Sequence, residues 1–199
     1  MQALKDRIRA EGRYMGDGIL KIDSILNHQI YPDLAVQMGQ ELANRFRAEQ
    51  PTRILTAEVS GIAPALMTAI ALNVPMVYAR KHKPITMSGP IFLETAPSAT
   101  HGGEISLMVA AEYLPAGDRI LIIDDFLASG KTLYSLARMV NQAKCTLVGI
   151  GVVVEKAFAG GREKLEKKYG VQVESLASIT FIDEDRVEFA DDPPHGVGV

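Results

Sequence analysis

The stretch Ile120–Leu133 (ILIIDDFLASGKTL) indicates the fold class of this chain. It begins with the apolar run Ile120–Ile123, continues with two adjacent acids, and ends in a loop of small residues that leads into a helix. A strand that is apolar at every position is typical of a sheet whose two faces are both covered by helices. Val148–Val154 has the same character, so we expect at least two such buried strands.

Strands and helices alternate on both sides of this stretch. Arg53–Val59 is β-prone, Ser60-Gly61 is a turn, and Ile62–Leu72 is a helical segment that ends at Asn73, which tolerates the left-handed conformation. Further β-prone runs occupy Pro75–Arg80 and, more weakly, Val171–Leu176. This alternation predicts the α/β class and a doubly wound parallel sheet, in which ligands bind beyond the carboxyl ends of the strands.

Two amphipathic helices are predicted before the first long strand. After Pro32 and Asp33, apolar residues recur every fourth position on a helix of about four turns, at Leu34, Met38, Leu42 and Phe46. A shorter opening helix carries Leu4 and Ile8 and stops at Gly12.

Between Lys81 and Pro115 the regular pattern gives way to Pro, Gly, Ser and Thr around two short β-prone runs, Ile91–Thr95 and Glu104–Ala110. We interpret this segment as a long, flexible hairpin-like loop over a binding site, because long excursions of this kind are usually functional. The ending Asp191–Val199 is rich in Pro and Gly and is predicted to fray.

Composition limits the possible functions. The 199 residues, of which 47% are hydrophobic, suit a single domain spanning residues 1–199. A net charge of −3 argues against a broad nucleic-acid or anionic-membrane surface, so an anionic ligand must meet a local basic patch. Cys145 has no cysteine to pair with and is predicted to be a packed thiol. With no signal peptide or membrane span in the sequence, we expect a soluble, cytoplasmic protein.

The two acids and the following loop are the strongest functional signal. Asp124 and Asp125 follow a predicted strand, and adjacent strand side chains point to opposite faces, so they suit a polyol or a metal better than one acid/base pair. By themselves, two adjacent acids are more typical of a solvent-exposed turn. Here, small residues let backbone N–H groups approach a phosphate, and Thr132 can cap the following helix. The predicted phosphate loop comprises Ala128, Ser129, Gly130, Lys131 and Thr132.

The sequence argues against a nucleoside triphosphatase, although Ser129–Thr132 is similar to the end of a P-loop. That motif requires a glycine five residues before its Gly-Lys pair, and this chain has Asp125 at that position.

A second anion site is predicted at the strand-to-helix junction formed by Ser60, Gly61, Ile62 and Ala63, where helix N–H groups are free. An ordinary turn would have the same residues. Arg80, Lys81 and Lys83 follow the next predicted strand and supply positive charge, although such runs are commonly solvated faces. His82 is interpreted as a packing or surface residue.

The stretch Ile120–Thr132 resembles the phosphoribosyl-pyrophosphate signature of the type I phosphoribosyltransferases. The resemblance implies that fold, with a small hood formed by the N- and C-terminal segments, a homodimer, and Mg²⁺ bound together with phosphoribosyl pyrophosphate. It assigns the ribose hydroxyls to the candidate catalytic residues Asp124 and Asp125, and the 5-phosphate to Ala128–Thr132. The pyrophosphate is assigned to Ser60–Ala63, Arg80, Lys81 and Lys83, in part from the neighbouring subunit.

The base-binding residues come from a wider similarity. Ile19–Pro32 (ILKIDSILNHQIYP) combined with Val153–Lys156 is similar to the xanthine-specific members of that family in bacterial purine salvage. The similarity implies that Leu20, Asn27 and Lys156 line a purine pocket for xanthine. Asn27 offers both a donor and an acceptor, Lys156 a donor for an exocyclic oxygen, and Phe126 a possible stacking surface. Each of these residues also has an ordinary structural interpretation.

One position departs from the pattern of relatives. Several oxopurine transferases carry a third loop acid, proposed to accept the purine ring proton, where this chain has Ala128. The sequence therefore names no general base. Hypoxanthine, guanine or adenine stay open as substrates, as does a non-catalytic sensor of phosphoribosyl pyrophosphate that regulates transcription.

Overall fold

The computed structural model describes residues 1–16, 18–97 and 104–193. In chain order the strands are β1 (Arg13–Tyr14), β2 (Leu20–Lys21), β3 (Arg53–Ala57), β4 (Met76–Ala79), β5 (Ile91–Pro97), β6 (Glu104–Ala110), β7 (Arg119–Leu127), β8 (Thr146–Lys156), β9 (Val173–Ile182) and β10 (Val187–Phe189). The α-helices are α1 (Gln2–Glu11), α2 (Pro32–Phe46), α3 (Ile62–Leu72), α4 (Lys131–Gln142) and α5 (Gly161–Tyr169). Asp23–Asn27 forms a single π-helical turn.

Six strands form the central sheet in the order β10-β9-β8-β7-β3-β4. The five adjacent strands β9, β8, β7, β3 and β4 are parallel, as predicted, and β10 is antiparallel to β9. The sequence analysis did not predict β10. Only a short turn joins it to β9, and a connection that short can return only in the antiparallel direction.

Helices cover both faces of the sheet, which explains the uninterrupted apolar run of β7. Leu121 and Ile123 pack in one cluster with Leu42 and Phe46 of α2. Ile120 and Ile122 pack in a second cluster that includes buried residues of α4. Since successive side chains of a strand alternate between faces, every position of the run Ile120–Ile123 must be apolar to fill both clusters.

The predicted elements are present with shifted ends. The helix α2 begins at Pro32, and Asn73 follows α3 with a φ of 56°, in the left-handed region. The strand predicted over Arg53–Val59 ends at Ala57, because residues 58–61 form a turn whose Glu58–Val59 peptide bond is cis. Four strands run past their predicted ends: β5 reaches Pro97, β7 reaches Leu127, β8 spans Thr146–Lys156, and β9 reaches Ile182.

The predicted hairpin is present as the antiparallel pair β5 and β6, which begins at Ile91 opposite Ala110. Its first strand is attached to α4, where Arg138 Nε donates to Glu94 Oε2 at 2.6 Å and Ser135 Oγ donates to the Thr95 carbonyl at 3.0 Å. The tip of the hairpin, residues 98–103, lies outside the described residues.

The N- and C-terminal segments meet beside the sheet. Lys5, buried on α1, pairs with Asp191, and Arg9 Nη2 donates to Asp192 Oδ1 at 2.6 Å. The beginning of the segment predicted to fray is thus attached to α1, and residues 194–199 lie outside the described residues. Within the described residues, none of the helices combines the length and apolar character needed to cross a membrane.

Candidate active site

A cleft of about 1410 Å³ opens beyond the carboxyl ends of β3, β7 and β8. It brings together most of the predicted site residues, namely Leu20, Asn27, Ser60, Gly61, Lys81, Asp124, Asp125, Ala128, Ser129, Gly130, Lys131, Thr132 and Lys156. Four others do not line it: Ile62, Ala63, Arg80 and Lys83. The cleft therefore joins segments that are far apart in the sequence.

The loop after β7 ends at the amino terminus of α4. Gly130 precedes this helix with a φ of 81°, a left-handed conformation that favours glycine. The first intrahelical bond runs from the Tyr134 N–H to the Gly130 carbonyl, so earlier N–H groups face the cleft end of the helix without intrahelical partners. The prediction that Thr132 caps α4 was wrong, because α4 begins at Lys131 and no side chain caps it. Thr132 lines the cleft from the first turn instead.

The two acids share the cleft in different surroundings. Asp124 is only 5% exposed, and its Oδ1 accepts the Asp125 N–H at 3.1 Å, whereas Asp125 is half-buried and its Oδ1 accepts the Phe126 N–H at 2.9 Å. Burial raises the pKa of Asp124 well above its ordinary value, and the neighbouring charge of Asp125 raises it further. Both acids lie inside β7 rather than after it, yet both line the cleft.

The turn at Ser60-Gly61 lies directly against Asp124. Gly61 has a φ of −68°, so glycine is not required there by backbone conformation. A Cβ at Gly61 would lie less than 3.0 Å from Thr56 Oγ1 and from Asp124 Oδ1. Glycine is required because α3 begins this close to β3 and β7.

The basic side chains that follow β4 do not all point into the cleft. Lys81 lines the cleft, and its N–H donates to Glu58 Oε1 at 2.6 Å. Arg80 lies instead near Tyr78 and Glu58 and lines a separate pocket of about 310 Å³. The chain leaves β4 at Ala79, and the two side chains that follow separate here, with Arg80 directed to Tyr78 and Glu58 and Lys81 to the cleft. Lys83 is exposed outside it.

The other end of the cleft is less polar. Lys156, the last residue of β8, holds its Nζ 5.6 Å from the centre of the Phe126 ring, and burial lowers the pKa of this lysine. Leu20 is buried, and Asn27 Nδ2 donates to Asp23 Oδ1 at 3.4 Å. An amide, an ammonium group and an aromatic ring thus line the same cleft, and such groups suit a flat heterocycle with oxygen substituents.

Sequence reasoning missed several residues of the cleft. Glu58 and His82 line it, as do exposed apolar side chains near the amino terminus, Met15 and Ile19. Glu58 was hidden inside a predicted strand, and its backbone belongs to a turn. Exposed apolar residues carry no sequence signal that separates them from core residues.

Among residues 1–16, 18–97 and 104–193, no three His, Cys, Asp or Glu side chains are grouped closely enough to hold a metal ion. The carboxylates of the cleft fit a Mg²⁺ ion that is held mainly by phosphate oxygens of a substrate, with one or two protein carboxylates nearby. Glu58, Asp124 and Asp125 are the carboxylates that line the donor end of the cleft.

The family model described as "Phosphoribosyl transferase domain" matches residues 22–190. The chain belongs to the phosphoribosyltransferase family. Among its relatives, the xanthine phosphoribosyltransferase of Deinococcus deserti is 51% identical over 184 residues, covering 92% of this chain and 95% of the relative. That of Moorella thermoacetica is 47% identical over 189 residues, covering 95% and 96%.

Solved structures of other phosphoribosyltransferases share the fold. Adenine phosphoribosyltransferase from Trypanosoma brucei matches with a TM-score of 0.73 and 20% identity, covering 98% of this chain and 86% of that one. The enzyme from Thermoanaerobacter pseudethanolicus matches with a TM-score of 0.70 and 24% identity, covering 88% and 99%. This confirms the type I phosphoribosyltransferase fold predicted from the sequence.

Proposed function

We propose that this phosphoribosyltransferase transfers the 5-phosphoribosyl group of phosphoribosyl pyrophosphate to xanthine, which yields xanthosine 5'-monophosphate and pyrophosphate. The observation that carries the proposal is one cleft lined by the loop Ala128–Thr132, by the two acids, and by Asn27, Phe126 and Lys156. The names and identities of the relatives support the choice of xanthine.

The donor occupies the half of the cleft between β3 and β7. In our proposal the N–H groups of Ala128–Thr132 and the amino terminus of α4 hold the 5-phosphate, because a helix amino terminus attracts anions. Asp124 and Asp125 accept hydrogen bonds from the ribose hydroxyls. Ser60, Gly61 and Lys81 hold the pyrophosphate, while Ile62 and Ala63 contribute at most the backbone N–H groups at the start of α3.

Catalysis then rests on positioning and on charge. As the bond from the anomeric carbon to pyrophosphate breaks, positive charge develops on the ribose ring, and the nearby carboxylates stabilise it. Lys81 and the amino terminus of α3 stabilise the negative charge of the leaving pyrophosphate. Mg²⁺, when bound with the donor, would neutralise phosphate charge beside Glu58 and Asp125.

The base occupies the compartment around Lys156. Its ammonium group donates to an exocyclic oxygen, Asn27 reads a second edge, Leu20 supplies an apolar wall, and Phe126 packs against the ring. Because Ala128 stands at the position of the loop acid, we propose that xanthine, whose ring protons are relatively acidic, releases its ring proton to solvent water rather than to a dedicated carboxylate. A pH profile of kcat that requires one essential enzyme carboxylate for deprotonation would contradict this.

The direct test supplies the purified protein with phosphoribosyl pyrophosphate, Mg²⁺ and each of xanthine, hypoxanthine, guanine and adenine. We expect nucleotide formation with the highest kcat/KM for xanthine. A preference for another base would replace xanthine but keep the reaction class. Donor binding without nucleotide formation from any base would instead favour a regulatory sensor, which a gel shift with genomic DNA would test.

Lys156→Ala tests the assignment of the base compartment. Loss of a charged donor to an oxygen of the base is expected to raise the KM for xanthine about tenfold or more, with the KM for phosphoribosyl pyrophosphate little changed. Lys164→Ala, on α5 outside the cleft, is the matched control. Equal losses for both substrates in Lys156→Ala would contradict the assignment.

We further propose a cytoplasmic homodimer. The single cysteine suits a reducing compartment. Exposed apolar side chains gather on the outer face of α3 and near the edge strand β4, where Leu66, Ile70 and Tyr78 are all exposed. A dimer through this face would also give Arg80 and Lys83, which stay outside their own cleft, a place beside the neighbouring subunit.

A further inference from the structure

The hydroxyl of Thr56 is buried without a hydrogen-bond partner. Thr56 is 0% exposed on β3, and its Oγ1 is one of two buried side-chain atoms without a partner among the described residues. An unpaired buried hydroxyl is destabilising, whereas valine would fill nearly the same volume without leaving a polar group unpaired. Because the unpaired hydroxyl lowers the stability of the ligand-free protein, we expect the hydroxyl to gain a hydrogen-bond partner in another state of the protein.

The surroundings of Thr56 identify the group it can reach. A Cβ placed on Gly61 would lie less than 3.0 Å from both Thr56 Oγ1 and Asp124 Oδ1. The two oxygens thus flank one point at the start of α3. Asp124 is nearly fully buried, and its Oδ1 accepts a bond from the Asp125 N–H at 3.1 Å.

A carboxylate has room for more hydrogen bonds than Asp124 receives. It carries two oxygens with about four acceptor positions. Thr56 can supply a donor from the protein side, behind the face that Asp124 presents to the cleft. Such a bond would fix the rotamer of Asp124 and keep the carboxylate in the acceptor form that sugar hydroxyls need.

We propose that Thr56 is a positioning residue for the donor site: when the donor is bound, the Thr56 hydroxyl donates to the Asp124 carboxylate and holds it against the ribose. The inference rests on the proposed role of Asp124 as a ligand of the ribose hydroxyls. Thr56 itself does not line the cleft and acts through Asp124. Because Gly61 lies beside both oxygens, the same contact also links the ribose acid to the pyrophosphate turn.

The test compares Thr56→Val with Thr56→Ser and with Thr68→Val. Thr68 is a second fully buried threonine, but its Oγ1 already donates to the Pro64 carbonyl at 2.8 Å. Thr56→Val should keep or raise the Tm of the ligand-free protein and weaken binding of Mg²⁺-phosphoribosyl pyrophosphate about tenfold or more, measured by calorimetry. Thr56→Ser should restore binding, and Thr68→Val should lower the Tm without changing donor affinity.

Steady-state kinetics supply a second readout. For Thr56→Val we expect a raised KM for the donor and an unchanged KM for xanthine. In an Asp124→Ala background, which leaves no side-chain acceptor at that position, Thr56→Val should add no further loss of donor affinity, because both changes remove the same interaction.

Three results would overturn the inference: wild-type donor affinity in Thr56→Val, a fall in Tm like that of Thr68→Val with equal losses for both substrates, or additive losses in the double variant. These outcomes differ from failure of the proposed function, in which the wild-type protein itself forms no nucleotide.

Discussion

At the scale of single residues, the cleft places two neighbouring carboxylates in different environments. Asp124 is almost completely buried, with a pKa raised by desolvation and by the charge of Asp125. Asp125 is half-buried and accepts the Phe126 N–H. The two acids should therefore respond differently to loss of charge.

Asp125→Asn should abolish most of the transferase activity while the protein stays folded. The amide keeps the size of the side chain but removes the charge that stabilises the ribose in the transition state, and loss of one such interaction costs about 10²–10³ in kcat. Asp183→Asn is the matched control, because that acid also accepts backbone N–H groups, of Asp185 and Arg186, but lies away from the cleft. Wild-type turnover in Asp125→Asn would refute the ribose assignment.

Asp124→Asn should raise the Tm of the ligand-free protein at neutral pH while it weakens donor binding. The native state binds the Asp124 proton to a higher pH than the unfolded chain does. The wild type therefore loses stability as pH rises from the ordinary aspartate value, 3.8, through the raised pKa. Asparagine does not titrate, so Asp124→Asn avoids this loss of stability. Thermal melts across pH should show a gain that shrinks on acidification; a gain independent of pH would contradict the account.

At the scale of elements, a buried ion pair joins the end of β8 to α5 next to the base compartment. Arg162 Nε donates to Glu155 Oε1 at 2.8 Å and Nη2 to Oε2 at 2.5 Å, and Ser175 Oγ on β9 donates to Oε2 at 2.8 Å. Burial by itself raises the pKa of Glu155, but the bonds from Arg162 and Ser175 outweigh it, and the pKa is lowered overall. These bonds fix the strand end from which Lys156 extends.

Arg162→Met should destabilise the protein by about 3–5 kcal/mol, because it leaves Glu155 buried without its counter-charge. Denaturant unfolding at neutral pH measures this loss. The penalty should diminish at acidic pH, where Glu155 is protonated in both variants, since a lowered carboxylate pKa contributes stability only above the range in which the acid titrates.

The double variant Glu155→Gln/Arg162→Met separates an unpaired charge from lost packing. Removing the charge of Glu155 should recover part of the stability lost in Arg162→Met. A double variant as unstable as the single one would show that the guanidinium acts mainly through its packing and its bond to the Val173 carbonyl.

At the scale of the whole molecule, the outer face of α3 exposes large apolar side chains to water. Ile70 is 64% exposed and Leu66 is 41% exposed, and the two lie one helical turn apart. The inner face of the same helix is buried against the sheet by Ala65 and Ala69. The exposed face is what the proposed dimer would cover.

Ile70→Glu should convert the proposed dimer to a monomer, because a buried unpaired carboxylate at an interface is costly. Sedimentation velocity at micromolar concentration measures the change. Val36→Glu, on α2 and 57% exposed, is the control and should leave the assembly unchanged. A dimer that persists in Ile70→Glu, or a monomeric wild type, would refute the use of this face.

The sequence by itself determined the strands that bury both faces, the helix of Leu34, Met38, Leu42 and Phe46, and the loop after Asp125. Local patterns settle these features, since periodicity follows from burial and glycine follows from backbone geometry. The doubly wound parallel sheet and the region of the cleft could therefore be predicted, and the phosphoribosyltransferase fold followed from the resemblance of Ile120–Thr132 to the family signature. The end of β7 could not be predicted. Two adjacent acids are typical of a strand end, but pairing with β8 continues the strand through Asp124 and Asp125 to Leu127.

Only the tertiary structure decided which neighbours of a predicted site residue enter the cleft. Lys81 lines it and Arg80 does not, and Ser60 and Gly61 line it while Ile62 and Ala63 do not. Side-chain direction at a strand end or in a first helical turn depends on twist and on the packing of elements distant in sequence. For the same reason the sequence gives no sign of the position of Thr56. Its hydroxyl lies beside Asp124 and Gly61 only because three elements of the fold meet there.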